Sequence, residues 1–266
     1  MRPITDIHEL RSVQMGILDH VHRYCMDHRL TYFLSSGTLI GAVRHKGYIP
    51  WDDDIDIYMP RADYDRFLRE FQDESGRYRL LAPSSLHPQP STLHYNYTFA
   101  KVVDTRTRMV ETETQGFEIG VFMDIFPVDY VTDNIKERAR VFQLKHLLYK
   151  IRRCKISHEN PLHSRLAYLC YRYLPFSVSR IDRWLRSLIV QPHPTATVCN
   201  MSEAGPSMRG CFPAADIASM VDIEFEGRTY KTMVGYADYL TRTYGNYMQL
   251  PPEDQRQTHS FEAYWL

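Results

Sequence analysis

The chain has 266 residues, 44% of them hydrophobic and 24% charged, with 32 basic residues set against 32 acidic ones. That length suits one large domain, or one domain carrying a sizeable insertion, and the composition excludes a disordered chain. Zero net charge excludes a general attraction to polyanions, so no nucleic-acid partner is expected and local charge has to carry any recognition.

In chain order, apolar residues at helical spacing (Ile7, Leu10, Val13, Ile17, Leu18, Val21) predict a helix within Ile4 to Asp27. Thr31 to Ser35 is a short apolar strand, and Gly37 opens a helix over GTLIGAVRH. A turn around Gly47 to Pro50 leads into WDDDIDIYM, which alternates like a strand, and a helix follows Pro60 from Arg61 to Phe71. Further strands are predicted at Arg79 to Ala82, Tyr95 to Val103 and Gly120 to Val128, with a Pro-, Ser- and His-rich loop from Ser84 to Leu93. Asn134 to about Val190 reads as helical and basic. A strand at Val221 to Phe225, a helix near Val234 to Tyr244 and a Pro-containing tail complete the chain. The boundaries expected are a core over 1–131, a basic helical subdomain over 132–195 and a segment over 196–266 that returns to the core.

The sharpest feature is the run Asp52, Asp53, Asp54, Asp56. Residues two apart on a strand share a face, so Asp52, Asp54 and Asp56 point one way while Ile55 and Ile57 point to the core. Carboxylates so close raise one another's pKa unless a cation intervenes. Hard oxygen ligands suit Mg2+ or Mn2+, and such an ion can bridge donor phosphates. A solvated acidic turn is the bland reading, and the interleaved isoleucines argue against it. An EF-hand loop counted from Asp52 needs glycine sixth and glutamate twelfth, where this chain has Ile57 and Asp63.

Upstream, Ser35, Ser36, Gly37 and Thr38 form a small turn at a helix N-terminus, where free N–H groups make a phosphate seat. Alone this turn is as readily a helix cap. Followed by a helix and a strand with spaced carboxylates, it matches the nucleotidyltransferase pattern, with a somewhat long gap. Downstream, GVFMDIFPVD sets Asp124 between apolar neighbours, a costly place for an unpaired carboxylate. Asp124 is therefore a third metal carboxylate or the base that accepts a hydroxyl proton, whereas Asp129 reads as structural. Arg44 and Lys101 are candidate phosphate contacts, against the alternatives of a favourable helix C-terminal cation and a snorkelling edge lysine. Tyr48, Trp51, Tyr95 and Tyr97 are candidate faces for a quaternary ammonium, although most aromatics in a chain with 19 tyrosines simply pack.

GTLIGAVRHKGYIPWDDDIDIYMPRADYDRF resembles the signature of the LicD family, which includes the fukutin-type transferases, and KVVDTRTRM, GVFMDIFPVD and YGNYMQLPPEDQRQTH add to the resemblance. It implies an α+β nucleotidyltransferase fold with a mixed-sheet core and a magnesium-dependent transfer of phosphocholine from CDP-choline to a hydroxyl of a cell-surface glycan, lipopolysaccharide or teichoic acid, releasing CMP. It carries metal roles onto Asp54 and Asp56, with Asp52, and makes Asp124 the third-carboxylate candidate. Fukutin-type relatives imply CDP-ribitol or a similar CDP donor instead. The residues leave open a true nucleotidyl transfer and, from another class, a non-catalytic membrane-surface glycan-binding protein built on the basic helices.

The basic stretch from Lys136 to Arg186 offers a cradle for an anionic glycolipid acceptor, or a peripheral membrane contact, beside the plainer reading of a packed helical subdomain. No run approaches 18 apolar residues and MRPITDIHELRSVQ lacks a signal-peptide core. The five cysteines are scattered and without a C-x-x-C pair, so neither a zinc knuckle nor a disulfide framework is expected. A cytoplasmic protein, peripheral at most at the inner membrane surface, is the expectation.

Overall fold

The computed structural model describes residues 1–83, 95, 97–110, 118–157, 161–162, 164–191, 193–202, 210–256 and 262–266. Strand β1 (Arg2–Ile4) leads into helix α1 (Ile7–His28), which starts where the Asp6 side chain accepts from the His8 N–H and buries the predicted apolar stripe. Then come β2 (Phe33–Leu34), α2 (Ser36–His45), β3 (Asp56–Pro60), α3 (Arg61–Glu70), β4 (Tyr78–Leu81), β5 (Ala100–Asp104), β6 (Thr107–Val110), β7 (Glu118–Ile119) and β8 (Phe122–Val131). Three helices follow, α4 (Ile135–Ile156), α5 (Arg165–Arg172) and α6 (Val178–Ile189). The remainder is β9 (Thr197–Asn200), β10 (Cys211–Pro213), β11 (Met220–Phe225), β12 (Arg228–Met233), α7 (Tyr236–Tyr244) and β13 (Glu262–Trp265).

The class is α+β. The main sheet has seven strands in the order β10-β9-β8-β3-β2, with β4 and β5 attached through a β5–β8 pairing. Its spine is β8. Strand β3 runs parallel along one edge of β8, at residues 124–128. The other edge is shared, β5 pairing antiparallel with residues 122–125 and β9 with 128–131. One ten-residue strand thus joins two smaller layers, and the sheet curls where they meet. Eight of the ten residues, Phe122 to Asp129, are buried without a break, which is the mark of a strand covered on both faces. A second sheet, β1-β13-β6-β7, and the hairpin β11–β12 complete the strands. Glu226 and Gly227, both at positive φ, make the hairpin turn.

Several expectations shift. The strand expected from Trp51 begins only at Asp56, and the one expected from Tyr95 only at Ala100. The helical stretch from Asn134 to Val190 is three helices, with Pro161 and Pro175 in the breaks. The Ser84 to Leu93 loop lies outside the described residues. Strands β1, β6, β7, β9, β10, β12 and β13 are additional to those read from the sequence. Cys199 and Cys211, distant in sequence, face each other across β9 and β10 as free thiols. Asp129 is structural: Arg61 donates Nε and Nη2 to its two oxygens, at 2.6 and 2.8 Å. No helix among the described residues is long and apolar enough to cross a membrane.

Candidate active site

Strand register sets the centre of the site. Asp56 on β3 pairs with Asp124 on β8, and Asp124 pairs with Lys101 on β5. Residues directly opposite across strands project from the same face, so a cation and two carboxylates stand abreast on three neighbouring strands. Lys101 Nζ donates to Asp124 Oδ1 at 2.7 Å, and the lysine is buried. Its ammonium lies over the rings of Phe122, Tyr97 and Phe99, 3.4, 4.3 and 5.4 Å from their centroids. Those ring faces suit a cation that has left water.

The start of α2 is pinned to the start of β3. The Ser35 N–H donates to the Asp56 carbonyl at 3.1 Å, and the Asp56 N–H donates to Thr38 Oγ1 at 2.9 Å. Ser36, the first residue of the helix, takes a positive φ of 50°. A Cβ built on Gly37 would stand 2.5 Å from Asp52 Oδ2, so the glycine lets that carboxylate approach the helix N-terminus. Ser35 Oγ is buried with no hydrogen-bond partner among the described residues.

The Ile55 carbonyl accepts from the Asp124 N–H at 2.8 Å, whereas Asp52 and Asp53 precede the ladder and are held by helix α1 instead. Arg11 Nη2 donates to the carbonyls of Asp52, Ile49 and Pro50, at 2.6, 3.0 and 3.0 Å. Gln14 Nε2 donates to the Asp53 carbonyl at 2.7 Å. Glu226, at the tip of the β11–β12 hairpin, accepts from the Tyr48 N–H at 3.0 Å, and the space it fills beside Gly47 leaves no room for a Cβ there. None of the three clamps was identified from the sequence. Gln14 had left a signal, a polar residue inside the apolar stripe of α1 that is buried in the fold.

Electrostatics ties the four aspartates together. Burial pushes the Asp56 carboxyl well above the usual carboxylate range, and Asp54, Asp124 and Asp52 push it further, against the opposing pull of Lys101. A divalent cation fits this donor set, hard carboxylate oxygens in a negative potential that a cation relieves. Among the described residues no three acidic, thiol or imidazole side chains form a ready-made metal cage. The structure offers the charge for an ion rather than a finished coordination shell.

The other candidates fall at two distances from this centre. Ser36, Gly37, Thr38 and Lys101 belong to it. Arg44, on the last turn of α2, donates to the Tyr247 carbonyl at 2.7 Å and so fastens the segment after α7. Tyr48 is buried, with its hydroxyl on Gln14 and Arg11 over its ring. Trp51 carries Arg256, 5.1 Å from its ring. Tyr95 and Tyr97 pack edge to face at 5.5 Å, with Tyr97 turned to Lys101.

Comparison with known proteins bears on the whole chain. Residues 29–165 match the family described as LicD/FKTN/FKRP, nucleotidyltransferase domain. The lipopolysaccharide cholinephosphotransferase LicD of Haemophilus influenzae is 34% identical over 278 aligned positions that cover all of both chains. Uncharacterised proteins of Rickettsia typhi and Rickettsia prowazekii match shorter stretches, 41% identical over 59 residues and 43% over 47. These cover 21% and 18% of this chain, and 19% and 18% of their own lengths.

Proposed function

This chain belongs to the LicD family and is an enzyme of its phosphotransferase type, and from that premise we propose that it transfers phosphocholine from CDP-choline to a hydroxyl of lipopolysaccharide or a similar cell-surface glycan. The observation that carries the reading is the row Lys101–Asp124–Asp56 beside the N-terminus of α2, in a chain similar from end to end to a lipopolysaccharide cholinephosphotransferase.

In this reading the backbone N–H groups of Ser36, Gly37 and Thr38 receive the donor phosphates. Mg2+ or Mn2+, held by Asp52, Asp54, Asp56 and Asp124, would supply charge neutralisation at those phosphates. The glycan hydroxyl attacks the phosphorus that bears choline, its proton passes to a carboxylate of the cluster, Asp124 being the candidate, and the bond to CMP breaks in line. Positioning and charge supply most of the rate. We place the reaction on the cytoplasmic side, where CDP-linked donors are made.

The test is CMP release from CDP-choline in the presence of lipopolysaccharide, with Mg2+ and with EDTA. Metal-dependent release with phosphocholine on the glycan supports the reading. CMP release with CDP-ribitol or CDP-glycerol, and none with CDP-choline, replaces the donor. Cytidine label retained on the glycan replaces the reaction class. A second expectation concerns Gly37→Ala, whose methyl meets the Asp52 carboxylate. Turnover should fall by about tenfold or more, since small misplacements at a reacting centre are costly. The melting temperature should hardly move, because a carboxylate end can rotate aside. Steady-state kinetics beside a thermal melt reads both.

A further inference from the structure

We propose that the outer surface of α4 and α5 docks on an anionic lipid bilayer. The inference is independent of which donor the enzyme uses.

Helix α4 has two faces. Its inner face is fixed to the fold through Arg138, which donates to the Thr132 carbonyl, through the Tyr149 hydroxyl, which donates to the Ser202 carbonyl, and through Arg152, which donates to Asp182. The opposite positions, one turn apart, are Lys136, Arg140, Leu144, Leu147 and Lys150, all exposed. Helix α5 lies across the far end of that open face. Lys155 Nζ donates to the carbonyls of Arg172 and Leu174, and Arg172 Nη1 returns bonds to those of Cys154 and Ser157. The outer side of α5 therefore continues the outer side of α4.

On α5 no described residue is fully buried. Leu166, Leu169 and Tyr173 fall on one stripe and are 73%, 40% and 76% exposed. Large apolar side chains in line on a surface mark an interaction site rather than a core.

Charge chooses the partner. The exposed cations are Lys136, Arg140, Lys150 and Arg153 on α4 and Arg165 on α5. Among the described residues of these helices one exposed acid, Glu137, opposes them. In a chain of zero net charge, that is strong segregation. A second copy docking by the same face would set these cations against one another. A bilayer answers both features, with anionic headgroups for the cations and the acyl boundary for the leucines and Tyr173. The face lies on the surface, since no described helix is long and apolar enough to cross.

The full chain is to be floated with vesicles of phosphatidylethanolamine and phosphatidylglycerol, and with vesicles of phosphatidylcholine alone. A polarity-sensitive dye on Cys170, exposed on the same helix, reports local dehydration. Expected are binding to the anionic vesicles only, a blue shift of the dye, and release by high salt. The double variant Leu166→Ser with Tyr173→Ser, and separately Lys136→Gln with Arg140→Gln, should each weaken binding by about tenfold or more. Both pairs are exposed, so the thermal melt checks that the fold is kept. Absence of binding to anionic vesicles, or binding unchanged in both variants, overturns the proposal. So does a dimer in solution that the Leu166/Tyr173 variant dissolves, which would assign the face to a second copy.

Discussion

Asp56→Asn is expected to reduce turnover by about a thousandfold or more and, when divalent ions are chelated, to raise the melting temperature. Both effects come from one position. Asp56 sits beside Asp124 in strand register, and burial together with Asp54, Asp124 and Asp52 holds its carboxyl well above the ordinary range. The sign follows from linkage. A carboxyl with a raised folded-state pKa binds its proton more tightly folded than unfolded. Folding stability is then greatest at low pH and is lost as pH rises through the raised value. Asparagine has the same shape and no charge, so it removes that loss. In a domain of this size each kcal/mol recovered corresponds to about 2–4 °C. Melts in EDTA across a pH series, beside kinetics with Mg2+, test both halves. An Asp56→Asn protein that turns over normally would refute the assignment of this carboxylate to the reaction. One that melts lower than the parent in EDTA would refute the electrostatic account.

Lys101→Met is expected to be the more damaging change for stability. The ammonium is buried, bonded to Asp124 at 2.7 Å and walled by aromatic rings, and methionine fills much of the same volume without the charge. Removing one partner of a buried ion pair costs about 3–5 kcal/mol, because the other charge is left behind in low dielectric. Lys101 also opposes the rise in the Asp56 proton affinity. Without it that affinity climbs further, and the variant's stability should fall more steeply than the parent's as pH rises. Added Mg2+ should return part of the loss, since the cluster that lost a cation gains one. Turnover should drop by about a hundredfold. Urea unfolding at two pH values, with and without Mg2+, reads the stability. An equal loss at both pH values and no response to Mg2+ would mean that Lys101 serves only packing.

The helices and the half-buried setting of the acidic run were legible in sequence for a simple reason: both are local. Helical periodicity in α1 and α3 and the alternation of aspartate with isoleucine need no knowledge of the rest of the chain. Strands of three or four residues carry too little pattern, and β1, β6 and β13 exist only because they find one another. Lys101 shows the boundary well. Its sequence neighbours announced a strand, and only register revealed the aspartate opposite. The acidic run was expected to lie in a strand throughout. Its first part instead gives its carbonyls to Arg11 and Gln14, residues some 40 positions away.

Those clamps also bear on how portable the proposed catalytic unit is. The family-matched stretch, residues 29–165, contains all four aspartates, the α2 turn and Lys101. It leaves out Arg11, Gln14 and Glu226, which fix the backbone on which the aspartates are carried. Trimmed to those limits, the gene would encode the aspartates, the α2 turn and Lys101 without the jig that holds them in register. The unit that has to fold together in this chain is therefore wider than the segment its signature marks.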